Sequence, residues 1–220
     1  NKTMFEYTFI RKKRKTVTVR LDQYGNITVS APLHYTRAQA EQFLSDHADW
    51  IEKKCAELAA RQPLPRLTFA EGEKVSFFGK EYILAFWEKR TVAIVENSVF
   101  LPKDAPMSAL KRFYARELKK YVAPVMAVYA QKMGVKPTKL SVTSARRRWG
   151  SCSAKNAISF SFHLAMCDPF AVNYVIAHEL SHILHKNHSK AFWNMVERYF
   201  PDYKQARKYL KEKAYFMEII

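Results

Sequence analysis

Residues 168–188 read DPFAVNYVIAHELSHILHKNH, and this stretch decides how the rest of the chain is read. Asp168 followed by Pro169 is a helix start: an N-cap carboxylate, then a residue whose missing N–H costs nothing in the first turn. The helix it opens carries His178-Glu179-Leu180-Ser181-His182, the pattern HExxH. Residues four apart share a helix face, so both imidazoles reach one metal ion while Glu179 points beside it. Zinc held by histidines with one position left open lowers the pKa of its water to about 7. A neighbouring carboxylate then takes the proton.

A catalytic zinc wants a third protein ligand, and three residues compete. His185 shares the face of His178 and His182. It lies about 10.5 Å from His178 along a continuing helix, at 1.5 Å per residue, which is too far for three donors to converge. His188 follows Asn187, a residue that tolerates the left-handed conformation ending helices, so the chain can turn back there. Glu197 on the next helix would give a His, His, Glu set. The order is His188, then Glu197, then His185. The same donors accept nickel or cobalt in place of zinc.

Working outward, Ser189 caps a following helix, and Pro201 separates it from a last one reaching Leu210. Upstream, Leu140–Ser144 and Ala157–His163 alternate as strands. Leu110, Phe113, Tyr114, Leu118, Tyr121, Val122, Val125 and Tyr129 recur at helical spacing, with Pro124 expected to kink or split that helix. Pro102 to Pro106 is the best boundary. Before it the chain is strand-like, at Phe5–Phe9, Val17–Leu21, Ile27–Val29 and four short runs between Lys74 and Leu101. One helix interrupts these strands, opened by the capping-box pair Thr36 and Gln39 and running to about Arg61, before Pro63 and Pro65. It is expected to bury Ala40, Phe43, Leu44, Trp50, Ile51 and Leu58. The expected architecture is α+β: a β-rich domain with one inserted helix over 1–103, and a second domain over 104–220.

The chain has 220 residues, 48% of them apolar, with only 5 glycines and 9 prolines, so it is a folding chain rather than a disordered one. Its longest apolar run, Ala123–Ala130, is far short of the roughly 20 residues of a membrane span. Asn1–Ile10 lacks a secretory layout, and Cys55, Cys152 and Cys167 form no disulfide pattern. The expectation is a cytoplasmic protein without a membrane partner. Net charge is +17: residues 1–103 contribute +5 and residues 104–220 contribute +12. That field attracts acidic or polyanionic partners, with peptide, an anionic small molecule and nucleic acid as the classes in view.

The motif at His178–His182 with Asn187–Trp193 and Pro201–Tyr203, together with Arg148-Trp149-Gly150-Ser151-Cys152, resembles the YgjP-like family of metal-dependent hydrolases, related to WLM and SprT-like zincin proteases. The resemblance implies a zincin-like second half, zinc ligands His178, His182 and His188, and Glu179 as general base. It also implies an edge strand beside the active-site helix that holds an extended peptide, for which Ala157–His163 is the candidate. The pattern departs from metzincins, which have Gly where this chain has His185.

Around this centre, Arg146, Arg147 and Arg148 are suited to phosphate or carboxylate, Trp149 to stacking, and Arg148 or Tyr203 to an oxyanion. Cys152 reads as a packed residue, His34 and His163 as structural histidines, and Phe192 and Trp193 as anchors behind the metal. Zinc metallopeptidase is the leading reading. A metal-dependent phosphohydrolase acting on nucleotides, with Arg146–Arg148 on phosphate, is second. A non-enzymatic zinc module binding nucleic acid is third.

Overall fold

A computed structural model describes residues 5–21, 25–59 and 66–220. The chain divides into two compact units, Asn1–Leu64 and Pro65–Ile220. In the first, strands β1 (Tyr7–Arg11), β2 (Thr18–Leu21) and β3 (Ile27–Ala31) form one sheet in the order β1-β3-β2. β1 runs parallel to β3, and β2 antiparallel to it. Alternation along β3 puts Ile27 and Val29 into a core with Ala40, Leu44 and Ile51. The capping box forms as expected, with Gln39 N–H donating to Thr36 Oγ1 at 3.2 Å. The single inserted helix is instead two, α1 (Arg37–Asp46) and α2 (Ala48–Ala59), because the His47 N–H turns back to the Leu44 and Ser45 carbonyls. Trp50, expected inside, is 46% exposed. The expected helix end at Pro63 and Pro65 lies outside the described residues.

The second unit opens with β4 (Lys74–Phe77), β5 (Lys80–Trp87), β6 (Ala93–Val95) and β7 (Ser98–Pro102), in sheet order β4-β5-β7-β6. The boundary expected at 103/104 therefore falls at 64/65, and the reason is packing. Val75, Leu84, Val99 and Leu101 are buried in one core with the helices that follow. Phe77 lies 5.1 Å from Phe113 and 6.0 Å from Tyr114, ring centre to ring centre. The Tyr114 hydroxyl donates to the Ser76 carbonyl at 2.8 Å, and Ser76 Oγ donates to that of Met166 at 2.7 Å. Both Tyr114 and Phe113 sit on α3 (Pro106–Met133), which runs unbroken through Pro124. That proline is on the exposed side, where the carbonyl left without a donor faces solvent and its loss costs least.

Beyond α3 come β8 (Lys139–Thr143), β9 (Gly150–Cys152) and β10 (Ala157–Ser161), a 3-10 turn over Phe162–Met166, and helices α4 (Pro169–Leu184), α5 (Lys190–Tyr199), α6 (Tyr203–Glu212) and α7 (Phe216–Ile219). The sheet order is β8-β10-β9, with β10 parallel to β8 and antiparallel to β9. β10 is thus central, which corrects the expectation that Ala157–His163 is an edge. The edge beside α4 is β9. No helix among the described residues is long and apolar enough to cross a membrane.

Candidate metal centre

Helix α4 is fixed at its start and buried along most of its length. Asp168 accepts the Phe170 N–H at 2.7 Å, and Pro169 fills the first helical position. Ala171, Val172, Val175, Ile176, Ala177 and Leu180 are buried, so the helix is held from several sides. His178 and His182 stand one turn apart with ring centres 4.9 Å from each other. The helix ends at Leu184, and His185 follows in an extended conformation with φ −122°. Asn187, expected to turn the chain by a left-handed residue, has no positive φ. The reversal is made by bends at Lys186 and Asn187, between the extended residues His185 and Ser189. Lys186 Nζ pins this loop by donating to Asn156 Oδ1 at 2.6 Å.

The loop returns His188 to the helix. Its Nε2 lies 3.3 Å from His178 Nε2, and one nitrogen each from His178, His182 and His188 lie within 4.8 Å of one another. His182 Nδ1 donates to the His185 carbonyl at 3.0 Å, which fixes the tautomer and leaves the Nε2 lone pair free. His178 Nδ1 has the Tyr174 hydroxyl at 3.2 Å. Burial, then the neighbouring His182 and His188, then Arg207, push His178 down to about 3. Burial also lowers His182, against its bond to the His185 carbonyl. Neutral imidazoles with converging lone pairs are the donor set that zinc takes. Behind them Phe192 is fully buried, 4.9 Å from the His178 ring and 4.4 Å from that of His182. His185 contributes only its carbonyl to this cluster. Glu197 is exposed and outside it.

Glu179 is 5% exposed, and its burial pushes the carboxyl up to about 8 against the opposing charge of Arg148. It lies against β9 so closely that a Cβ on Gly150 would stand 2.7 Å from Glu179 Cγ and 2.8 Å from Oε1. The segment leading into β9 is tethered at both ends by one residue. Ser161 donates its N–H to the Trp149 carbonyl at 2.8 Å and its hydroxyl to the Ala145 carbonyl at 2.6 Å. Between those two anchors stand Arg146, Arg147 and Arg148, all exposed, with Arg146 also donating to the Ile220 carbonyl at 3.2 Å.

These three arginines and Trp149 line a cavity of about 530 Å³ whose wall includes His178 and Glu179. Tyr203 is not in it. It is buried with its ring stacked 5.4 Å from Trp193. Sequence reasoning missed Gly150 as a steric partner of Glu179. It also missed Arg207 and Lys211, which line the same cavity from α6. Their one-turn spacing was visible, but on an amphipathic helix it reads as a solvated face. Cys152 on β9 is half-buried, and burial pushes its thiol up, away from a nucleophile's range.

The family model described as YgjP-like, metallopeptidase domain, matches residues 15–213. Among solved structures, the crystal structure of the metallopeptidase zymogen of Pyrococcus abyssi abylysin matches at 20% identity with a TM-score of 0.39, over 42% of this chain and 93% of that one. Comparison with curated proteins finds none that matches.

Proposed function

The chain belongs to the YgjP-like metallopeptidase family, and from that premise we propose that it is a zincin-type peptidase with His178, His182 and His188 as zinc ligands and Glu179 as general base. The observation that carries this is the convergence of the three imidazoles beside a buried carboxylate. Zinc, when bound, supplies the Lewis acid that polarises the scissile carbonyl and makes water acidic enough to attack. The protein supplies the rest. The His185 carbonyl and the Tyr174 hydroxyl orient two of the imidazoles. Glu179 takes the proton of the attacking water and returns it to the leaving amine, a shuttle suited to a carboxyl raised by burial. Arg148, whose charge reaches Glu179, is the group suited to steady the developing oxyanion. β9, the edge strand beside α4, is the natural rail for an extended peptide. Cytoplasmic residence is part of the proposal, supported by three free cysteines.

A second reading, phosphoester hydrolysis of nucleotides, draws on Arg146–Arg148 in the cavity wall, and a zinc-containing nucleic-acid-binding module draws on the basic charge alone. Metal content and hydrolysis of wild type and Glu179→Gln decide among them, with unstructured peptides and nucleoside triphosphates offered together. About one zinc per chain in both proteins, with peptide loss only in wild type, is the expected result. Nucleotide loss only in wild type makes the protein a phosphohydrolase. Bound zinc with neither activity leaves the binding module, and absence of metal from wild type ends the proposal.

A further inference from the structure

The cavity beside Glu179 carries more positive charge than the hydrolytic step uses, in which Arg148 alone of its cations has a part. Five cations line it: Arg146, Arg147 and Arg148 from the segment before β9, and Arg207 and Lys211 from α6. Two parts of the chain far apart in sequence bring like charges to one space, an arrangement that repels itself until an anion enters. Among the described residues, no carboxylate side chain lies within 4.0 Å of Arg146, Arg147, Arg148, Arg207 or Lys211. Arg207 is held in place without one, its guanidinium 4.6 Å from the centre of the Trp193 ring. Leu210, Ala214 and Met217 give the cavity an apolar side.

The acid on the cavity wall other than Glu179 is Glu218, whose Oε2 is buried and has no hydrogen-bond partner among the described residues. Its carboxylate weighs on any anion in the cavity in proportion to that anion's own charge. A phosphate group, with close to two charges, is repelled more than a singly charged carboxylate, whereas both fit the arginine forks.

We propose that this cavity is a specificity subsite for a carboxylate adjoining the scissile bond, with Arg207 and Lys211 as the residues that select it. The proposal rests on the peptidase reading. The carboxylate belongs to an acidic side chain or to the free C-terminus of a short peptide, and the shared chemistry is a planar, singly charged anion.

The test uses full-length zinc-loaded protein and peptide pairs differing only in Glu against Gln on either side of the cleaved bond. A second pair has a free or an amidated C-terminus. Cleavage by wild type gives kcat/KM ratios, and calorimetry on Glu179→Gln gives Kd ratios without turnover. The expected preference is about tenfold or more for the carboxylate member of one pair, the size of a charge-assisted hydrogen bond. Arg207→Gln with Lys211→Gln collapses that ratio toward one, and Arg207→Lys retains part of it. Which pair shows the preference identifies the carboxylate's source. Equal ratios in both measurements, with peptides still cleaved, overturn the subsite and leave the peptidase standing. Tighter binding of inorganic phosphate or a nucleoside triphosphate than of either acidic peptide also overturns it. Selective binding of the acidic peptide without any cleavage keeps the subsite and removes the peptidase reading.

Discussion

Gly150 and Glu179 are in contact at a distance that only glycine permits. A methyl group at position 150 would sit 2.7 Å from Glu179 Cγ, inside any tolerable carbon separation, and Glu179 is walled in by its own burial. Gly150 has no positive φ, so the requirement is space and not backbone freedom. Gly150→Ala should therefore leave the protein folded, at an overpacking cost of about 1–3 kcal/mol, while displacing the Glu179 carboxylate. Peptide hydrolysis should fall by about a hundredfold or more, the scale of a lost general base, with zinc content unchanged. Near-normal kcat in a folded Gly150→Ala protein would show that Glu179 tolerates displacement and is not the base.

His188 reaches the cluster from a loop, whereas His178 and His182 are fixed by α4. His188→Ala should leave two donors and a site that loses zinc on dialysis. Chelation should likewise lower the wild-type melting temperature. A ligand at a hundred times its Kd stabilises the native state by about 2.7 kcal/mol, and removing it forfeits that amount. Metal analysis and a thermal scan of both proteins check this. Full zinc in His188→Ala together with loss of zinc in Glu197→Ala would transfer the third ligand to Glu197.

The legible parts of this protein are those set by local periodicity. The spacing of His178 and His182 follows from the helix repeat, and Asp168-Pro169 marks the start of α4 because capping is local chemistry. Pro102–Pro106 misled because proline punctuates chains wherever an element begins. Here Pro106 merely opens α3, while Val75, Leu84, Val99 and Leu101 pack across the supposed boundary. Alternation along 157–161 reveals a strand but not its neighbours, so its central place between β8 and β9 was out of reach. Nothing in the sequence at His47 announces a helix break, as no glycine or proline stands there. Arg207 and Lys211 gain their meaning only from the wall formed by Arg146–Arg148.

Ser161 holds the arginine segment through its hydroxyl, which donates to the Ala145 carbonyl and lies 2.8 Å from His163 Nδ1. With its single proton committed to Ala145, the hydroxyl must accept from His163 Nδ1–H. Ser161→Ala strips both groups of a partner in a buried place. The expected destabilisation is about 1–3 kcal/mol by denaturant melting. The tether at the Trp149 carbonyl uses the backbone and survives, so β9 stays paired while Arg146–Arg148 loosen. KM for cleaved peptides should rise more than kcat falls. A variant with wild-type stability and wild-type KM would deny the tether any role.

His163 is fully buried, and its Nε2 has no hydrogen-bond partner among the described residues. With Nδ1–H donated to Ser161, the ring is held in its neutral form, and burial followed by the charge of Arg146 pushes its pKa from 6.5 down to about 4. The unfolded chain therefore binds a proton between these values that the folded protein refuses. Stability present above about pH 6.5 is lost as pH falls, and the loss levels off below about pH 4. A shift of this size corresponds to about 3 kcal/mol at most. His178 and His182 are lowered as well, so the readout is a difference. Urea melts of metal-free wild type and His163→Gln from pH 7.5 to 4 should diverge, with the variant's curve flatter. Parallel curves across that window would mean that His163 takes up its proton in the folded protein as readily as in the unfolded chain.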